Sequence, residues 1–267
     1  MTREELYLQM KAKGSMLCVG LDTDYAKIPE CVKAGRSVRG AVLEFNRRIS
    51  DATASHCVAY KPNLAFYESL GIEGLSVLDK TVDYLRTNHP EQFLIADAKR
   101  GDIGNTAKMY ARSLFSTFDF DAVTISPYMG SETVTPFLEY PGRYAIVVAL
   151  SSNSSSADFQ TALKDGKPLY RVVMERMMEI STPENMMFVV GATKADKLKE
   201  IRQFCPDNFF LVPGVGAQGG SAEEVMSNGA NDKGGLLINS SRGVLYASAG
   251  EDFAQSAALS AAATARF

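Results

Sequence analysis

The stretch FLIADAKRGDIGNT, residues 93–106, runs from an apolar segment straight into a dense cluster of charge. Phe93 to Ala96 have the apolar, β-rich character of a strand buried on both faces, and Asp97, Lys99, Arg100 and Asp102 follow at once. A buried strand that turns polar only at its C-terminal end is the pattern of a parallel sheet whose strand ends carry function. Positions two apart on a strand share a face, so the spacing predicts Asp97 beside Lys99, with Ala98 turned away.

Seven further runs repeat the apolar pattern along the chain: MLCVGLD (16–22), CVAYKP (57–62), AVTIS (122–126), YAIVVAL (144–150), MMFVVG (186–191), FFLVP (209–213) and GLLINS (235–240). Segments with helical spacing lie between them, among them AVLEFNRRISDAT, SVLDKTVDYLRTN, TAKMYARSLFSTF and LYRVVMERMMEI. Strands that alternate with helices imply right-handed βαβ units and a parallel sheet. The expectation is an α/β protein built as a single (β/α)8 TIM barrel over residues 1–267, with MTREELYLQMKAKG forming a short helix in front. No proline- or serine-rich linker divides the series, and SSNSSSADFQ (151–160) reads as a polar loop after the fifth strand. An open doubly wound sheet would need a topological switch, which the alternation does not show.

Composition narrows the partners. The chain has 267 residues, 46% of them hydrophobic, enough for a full core, and its formal charge of -3 gives no broad basic field for nucleic acid or an anionic membrane. Cys18, Cys31, Cys57 and Cys205 form no CxxC pair and read as reduced thiols of a cytoplasmic protein. No long apolar span or cationic leader marks export. The only histidines, His56 and His89, fall at no strand end, which disfavours a Ser-His hydrolase and predicts no metal site.

Active sites of such barrels occupy the C-terminal ends of the strands. The residues there are Asp22, Lys61 with Asn63, Asp97 with Lys99, Ser126, Ser151 with Ser152, Gly214 to Gly220, and Ser240 to Gly243. If consecutive strands pair, Lys61 adjoins Asp97, and the order Lys61, Asp97, Lys99, Asp102 alternates in sign. An ion-pair network that closes the barrel rim is the plain alternative for any one pair. Four charges together are costly to desolvate, several kcal/mol each unless well paired, and such a cluster is more often kept for chemistry than for stability. Two segments point to a phosphate. VPGVGAQGGS (212–221) follows a strand with glycines and opens a helix, and INSSRGVLYA (238–247) repeats this one strand later, with Arg242 able to grip phosphate oxygens in a fork.

DAKRGDIGNT resembles the Asp-x-Lys-x-x-Asp signature of the orotidine 5'-monophosphate decarboxylases, with Ile103 and Thr106 also matching. GLD (20–22), KPNLAFYE (61–68), PGVGAQGG (213–220) and NSSRG (239–243) fall in that family's order, and KPNLAFYE with NSSRG is similar to its longer-chain branch. Asp-x-Lys-x-x-Asp alone also resembles the sugar-phosphate decarboxylases and aldol enzymes of the same barrel group, some of them metal-assisted, and a non-catalytic nucleotide-binding barrel is a further alternative. The resemblance implies conversion of orotidine 5'-monophosphate to uridine 5'-monophosphate and carbon dioxide, without metal or organic cofactor. It implies Lys99 as proton donor to C6, Asp97 beside the substrate carboxylate, and Lys61 with Asp102 fixing the network. Asp22 and Asn63 would hold the ribose, Ser152 the pyrimidine edge, and Gln218, Arg242 and Gly243 the phosphate. Loops 151–165 and 214–220 would close over the ring. Asp102 and Thr106 would reach into the neighbouring site of a homodimer.

Overall fold

A computed structural model describes residues 1–215 and 220–264. Eight parallel strands close into a ring: β1 (Leu17–Leu21), β2 (Ala59–Pro62), β3 (Phe93–Arg100), β4 (Ala122–Ile125), β5 (Tyr144–Leu150), β6 (Met186–Val190), β7 (Phe210–Val212) and β8 (Leu236–Ser240). Neighbours in sequence are neighbours in space, and β8 returns to β1 with Leu17 opposite Ile238. This is the predicted (β/α)8 barrel, with each of the eight apolar runs forming one of its strands.

The strands are buried almost end to end because the barrel interior covers one face and the helices the other. Helix α1 (Arg3–Lys13) opens on a capping box in which Thr2 and Glu5 satisfy each other's backbone amides, and it ends at Gly14. It covers the N-terminal face of the barrel, where the Lys13 ammonium donates to the carbonyls of Ala54 and Cys57. Helix α2 (Val38–Thr53), capped by Ser37, buries Val42, Phe45, Asn46, Ile49 and Thr53 along one stripe. Fully buried Phe45 stacks on Phe253, and each such ring contributes about 2 kcal/mol by leaving water.

Asn46 is the polar exception on that stripe. Its side chain accepts from Thr23 Oγ1 at 2.6 Å and donates to Tyr67 Oη and Thr81 Oγ1. Tyr67 in turn donates to the Leu21 carbonyl at 3.1 Å. Every member of this buried network is paired, so it adds rigidity at the end of β1, where Asp22 stands.

The polar loop expected at 151–160 holds one short 3-10 turn, Ser154–Asp158, and a hairpin follows it. Leu163–Lys164 pairs antiparallel with Lys167–Pro168 around Asp165 and Gly166, both with positive φ. Asp-Gly is the residue pair that a two-residue hairpin turn demands, and the flanking strands are too short to show alternation. The crossover from β4 to β5 also lacks a long helix and is carried by two short turns, Ser131–Thr133 and Thr135–Leu138.

Candidate active site

At the C-terminal face, β3 departs from regular strand geometry. It pairs with β4 at Ala96 opposite Val123 and again at Arg100 opposite Ile125, so Asp97, Ala98 and Lys99 all lie across from Thr124 alone. Lys99 has a φ of 44°, a left-handed backbone that costs a residue with a Cβ about 1 kcal/mol. Asp97 and Lys99 do meet, as expected, but through this bulge and not through strand alternation.

The bulge presents a chain of charges. Lys99 Nζ donates to Asp97 Oδ1 at 2.6 Å, and Lys61 Nζ donates to Asp97 Oδ2 at 2.8 Å. The Lys61 ammonium also lies 3.9 Å from Asp22 Oδ1, because Lys61 pairs in register with Gly20 on β1. Side-chain exposure separates the two lysines: 4% for Lys61 against 56% for Lys99. Burial opposes ionisation of Asp97, but the Lys61 ammonium, and after it Lys99, holds the carboxyl well below the usual carboxylate range. Burial likewise opposes charging of Lys61, and Asp97 with Asp22 outweighs it, lifting the ammonium above an ordinary lysine. The arrangement is a sunken, fixed ion pair carrying one half-exposed ammonium that can reach a bound molecule. Fully buried Cys18 lies within electrostatic reach of the same charges, and burial holds its thiol protonated, so it is no nucleophile.

Asp102 does not join this chain of charges, although the sequence order placed it there. It follows the strand, is half-buried, accepts from the Ile103 amide at 2.8 Å, and makes no ion pair among the described residues. Thr106 is exposed in the first turn of a helix (Gly104–Arg112). Gly101 lets the loop leave the strand closely, since a Cβ there would stand 3.0 Å from the Ser126 carbonyl oxygen. Asn63 caps the short helix Leu64–Glu68 through Oδ1, leaving its amide donors for other partners. Asp22 Oδ1 is buried with no hydrogen-bond donor among the described residues. Its backbone is held by Tyr246, which donates to the Asp22 carbonyl at 3.1 Å and accepts from the Asp24 amide at 2.8 Å.

On the phosphate side, Arg242 is exposed at the start of the short helix Arg242–Leu245 that follows β8, and Gly243 is exposed beside it. Ser221 caps the helix Ala222–Gly229 after β7. Gln218 lies outside the described residues. Ser152 sits half-exposed after β5, packed against Gly191, with its carbonyl accepting from Thr193 Oγ1 at 2.9 Å. Among the described residues no three of His, Cys, Asp and Glu come together as metal ligands, and no helix is long and apolar enough to cross a membrane.

Sequence reading passed over Thr124 and gave no role to Arg100 or Glu68. Thr124 is the one polar residue of β4, and its hydroxyl touches Asp97 and the backbone of the bulge. A hydroxyl inside an otherwise apolar strand was the available signal. Arg100 forms an ion pair with Glu68 and stacks 5.3 Å over Tyr110, linking KPNLAFYE to the bulge.

A family model described as orotidine 5'-phosphate decarboxylase / HUMPS matches residues 15–257. Proteins named orotidine 5'-phosphate decarboxylase from Parabacteroides distasonis and Phocaeicola vulgatus are 53% and 51% identical to the chain, each over 95% of it and over 90% and 93% of their own lengths. The solved structure of Leishmania donovani OMP decarboxylase superposes with a TM-score of 0.81 at 35% identity, covering 96% of this chain and 95% of that one. The family match runs through all eight strands and past the lysine–aspartate chain at their mouth, and on that ground the chain belongs to the orotidine 5'-phosphate decarboxylase / HUMPS family.

Proposed function

We propose the following division of labour for the decarboxylation of orotidine 5'-monophosphate to uridine 5'-monophosphate and carbon dioxide, the reaction of this chain as an orotidine 5'-phosphate decarboxylase. The bond from C6 to the carboxylate breaks, its electron pair stays on C6, and the Lys99 ammonium both stabilises that charge and delivers the proton. Asp97 stays ionised beside the departing carboxylate and holds Lys99 in place. Lys61 keeps Asp97 charged. Its burial between Asp97 and Asp22 supports an anchoring role and not a proton-donating one. The single observation that carries this reading is the Lys61–Asp97–Lys99 chain at the C-terminal mouth of the barrel.

Asp22 and the amide of Asn63 receive the ribose, Ser152 the pyrimidine edge, and Arg242 and Gly243 the phosphate, with Gln218 assigned to the same end. Phosphate binding far from C6 then contributes to closing the loop at 151–165 over the ring. A homodimer completes the site, with Asp102 and Thr106 serving the partner's substrate. In its support, Asp102 has no ion-pair partner among the described residues of its own chain, and Ile103, Met109, Tyr128 and Met129 expose large apolar side chains on the segments that follow β3 and β4, Met109 from the helix Gly104–Arg112. The reaction is assigned to the cytoplasm and to one barrel without cofactor.

Loss of orotidine 5'-monophosphate, followed by ultraviolet absorbance with and without chelator, tests the scheme. Lys99→Ala should cut turnover by at least three decades, about 4 kcal/mol, while uridine 5'-monophosphate still binds. Activity within tenfold of wild type would remove Lys99 from the mechanism.

A further inference from the structure

We propose that Thr124 is a positioning residue for Lys99: its hydroxyl holds the β3 bulge in the one shape that aims the ammonium at the mouth of the barrel. The inference rests on the assignment of Lys99 as the acid.

The register leaves three residues of β3 against one of β4, so the amides of Ala98 and Lys99 lack the strand partners that a regular ladder would supply. Thr124 Oγ1 replaces both, accepting from the Ala98 amide at 3.0 Å and from the Lys99 amide at 3.0 Å. The same hydroxyl donates to Asp97 Oδ1 at 3.0 Å, the oxygen that also receives Lys99 Nζ. A hydroxyl has one proton and two lone pairs, and here all three are used within the bulge. Thr124 is 1% exposed, so it acts on a substrate only through the groups it holds. It grips Lys99 from two sides at once, by the backbone amide and through the carboxylate that anchors the ammonium. Without the hydroxyl, the left-handed backbone at Lys99 loses the contacts that over-determine it.

Thr124→Val keeps the branched shape suited to a strand and removes all three hydrogen bonds, whereas Thr124→Ser keeps the hydroxyl. In the intact enzyme, Thr124→Val should lower kcat by about thirtyfold or more, as displacement of a reacting group does. KM and the affinity for uridine 5'-monophosphate should stay within about threefold, because nothing is removed from the binding surface. Thr124→Ser should recover most of the lost kcat. A merely structural threonine would lower melting temperature without this split. If Thr124→Val does not fold, Thr124→Ala set against Thr124→Ser makes the same comparison. Lys99→Ala, assayed in parallel, separates the two ideas. An inactive Lys99→Ala with a Thr124→Val of wild-type kcat overturns the positioning role alone, and a Lys99→Ala within tenfold of wild type overturns both.

Discussion

The ammonium of Lys61 sits 2.8 Å from Asp97 Oδ2 in a site that solvent barely enters, so one buried lysine keeps the neighbouring carboxylate ionised. The consequence for pH has a definite sign. The unfolded chain takes up a proton on Asp97 near pH 4, whereas the folded chain resists it to lower pH. Stability from this pair is therefore complete above about pH 4 and is lost as pH falls through the folded value. The carbon-13 carboxyl resonance of Asp97 should hold its ionised position as pH falls from 8 through the ordinary aspartate midpoint of about 4. A midpoint at or above about pH 4 would mean that the two ammonium groups do not govern it.

Arg242→Ala should weaken binding of uridine 5'-monophosphate strongly and of uridine hardly at all. The exposed guanidinium stands where β8 gives way to a helix, and only the nucleotide brings a phosphate to it. Equal losses for both ligands in calorimetric titration would mark Arg242 as a residue of the fold.

In the proposed homodimer with shared sites, Lys99→Ala and Asp102→Ala should each be nearly inactive alone and should complement each other when mixed. In a mixed dimer one site collects both defects and the other none. Refolding an equal mixture should then restore about a quarter of wild-type activity. A refolded, dimeric mixture that stays as inactive as its parents would place Asp102 in its own subunit's site or in the fold alone.

Arg202→Met should destabilise the protein by about 3 kcal/mol and leave the turnover of the folded enzyme unchanged. This guanidinium, on the helix Ala195–Phe204, donates to the carbonyls of Cys205, Pro206, Asn208, Gly229 and Gly235 and lies 3.9 Å over the ring of Phe210. It gathers the N-terminal ends of β7 and β8, the face opposite the lysines. Denaturant unfolding measures the loss, and a fall in kcat of the folded variant would contradict the separation of the two faces.

The barrel was legible because each strand is buried on both sides and reads as an unbroken apolar run, as YAIVVAL and MMFVV do. Asp97, Lys99 and Lys61 were legible because a charge at the end of such a run has nowhere to point but the mouth. Register was not. Nothing in FLIADAKR says that Asp97, Ala98 and Lys99 will face a single residue of β4, since that mismatch belongs to two strands together. Thr124 stayed hidden for the same reason, and the Asp165–Gly166 hairpin because its flanks are only two residues long. Asn63 carried two meanings, strand-end ligand and helix cap, and the structure uses its carbonyl for the cap while its amide stays available.

The left-handed φ at Lys99 sets two demands against each other at one position. Its backbone would suit glycine, while the assigned reaction asks for a long cationic side chain. Any search for more stable variants will be drawn to this residue and will lose the catalyst when it succeeds, so thermostability screens on this barrel need an activity gate from the first round.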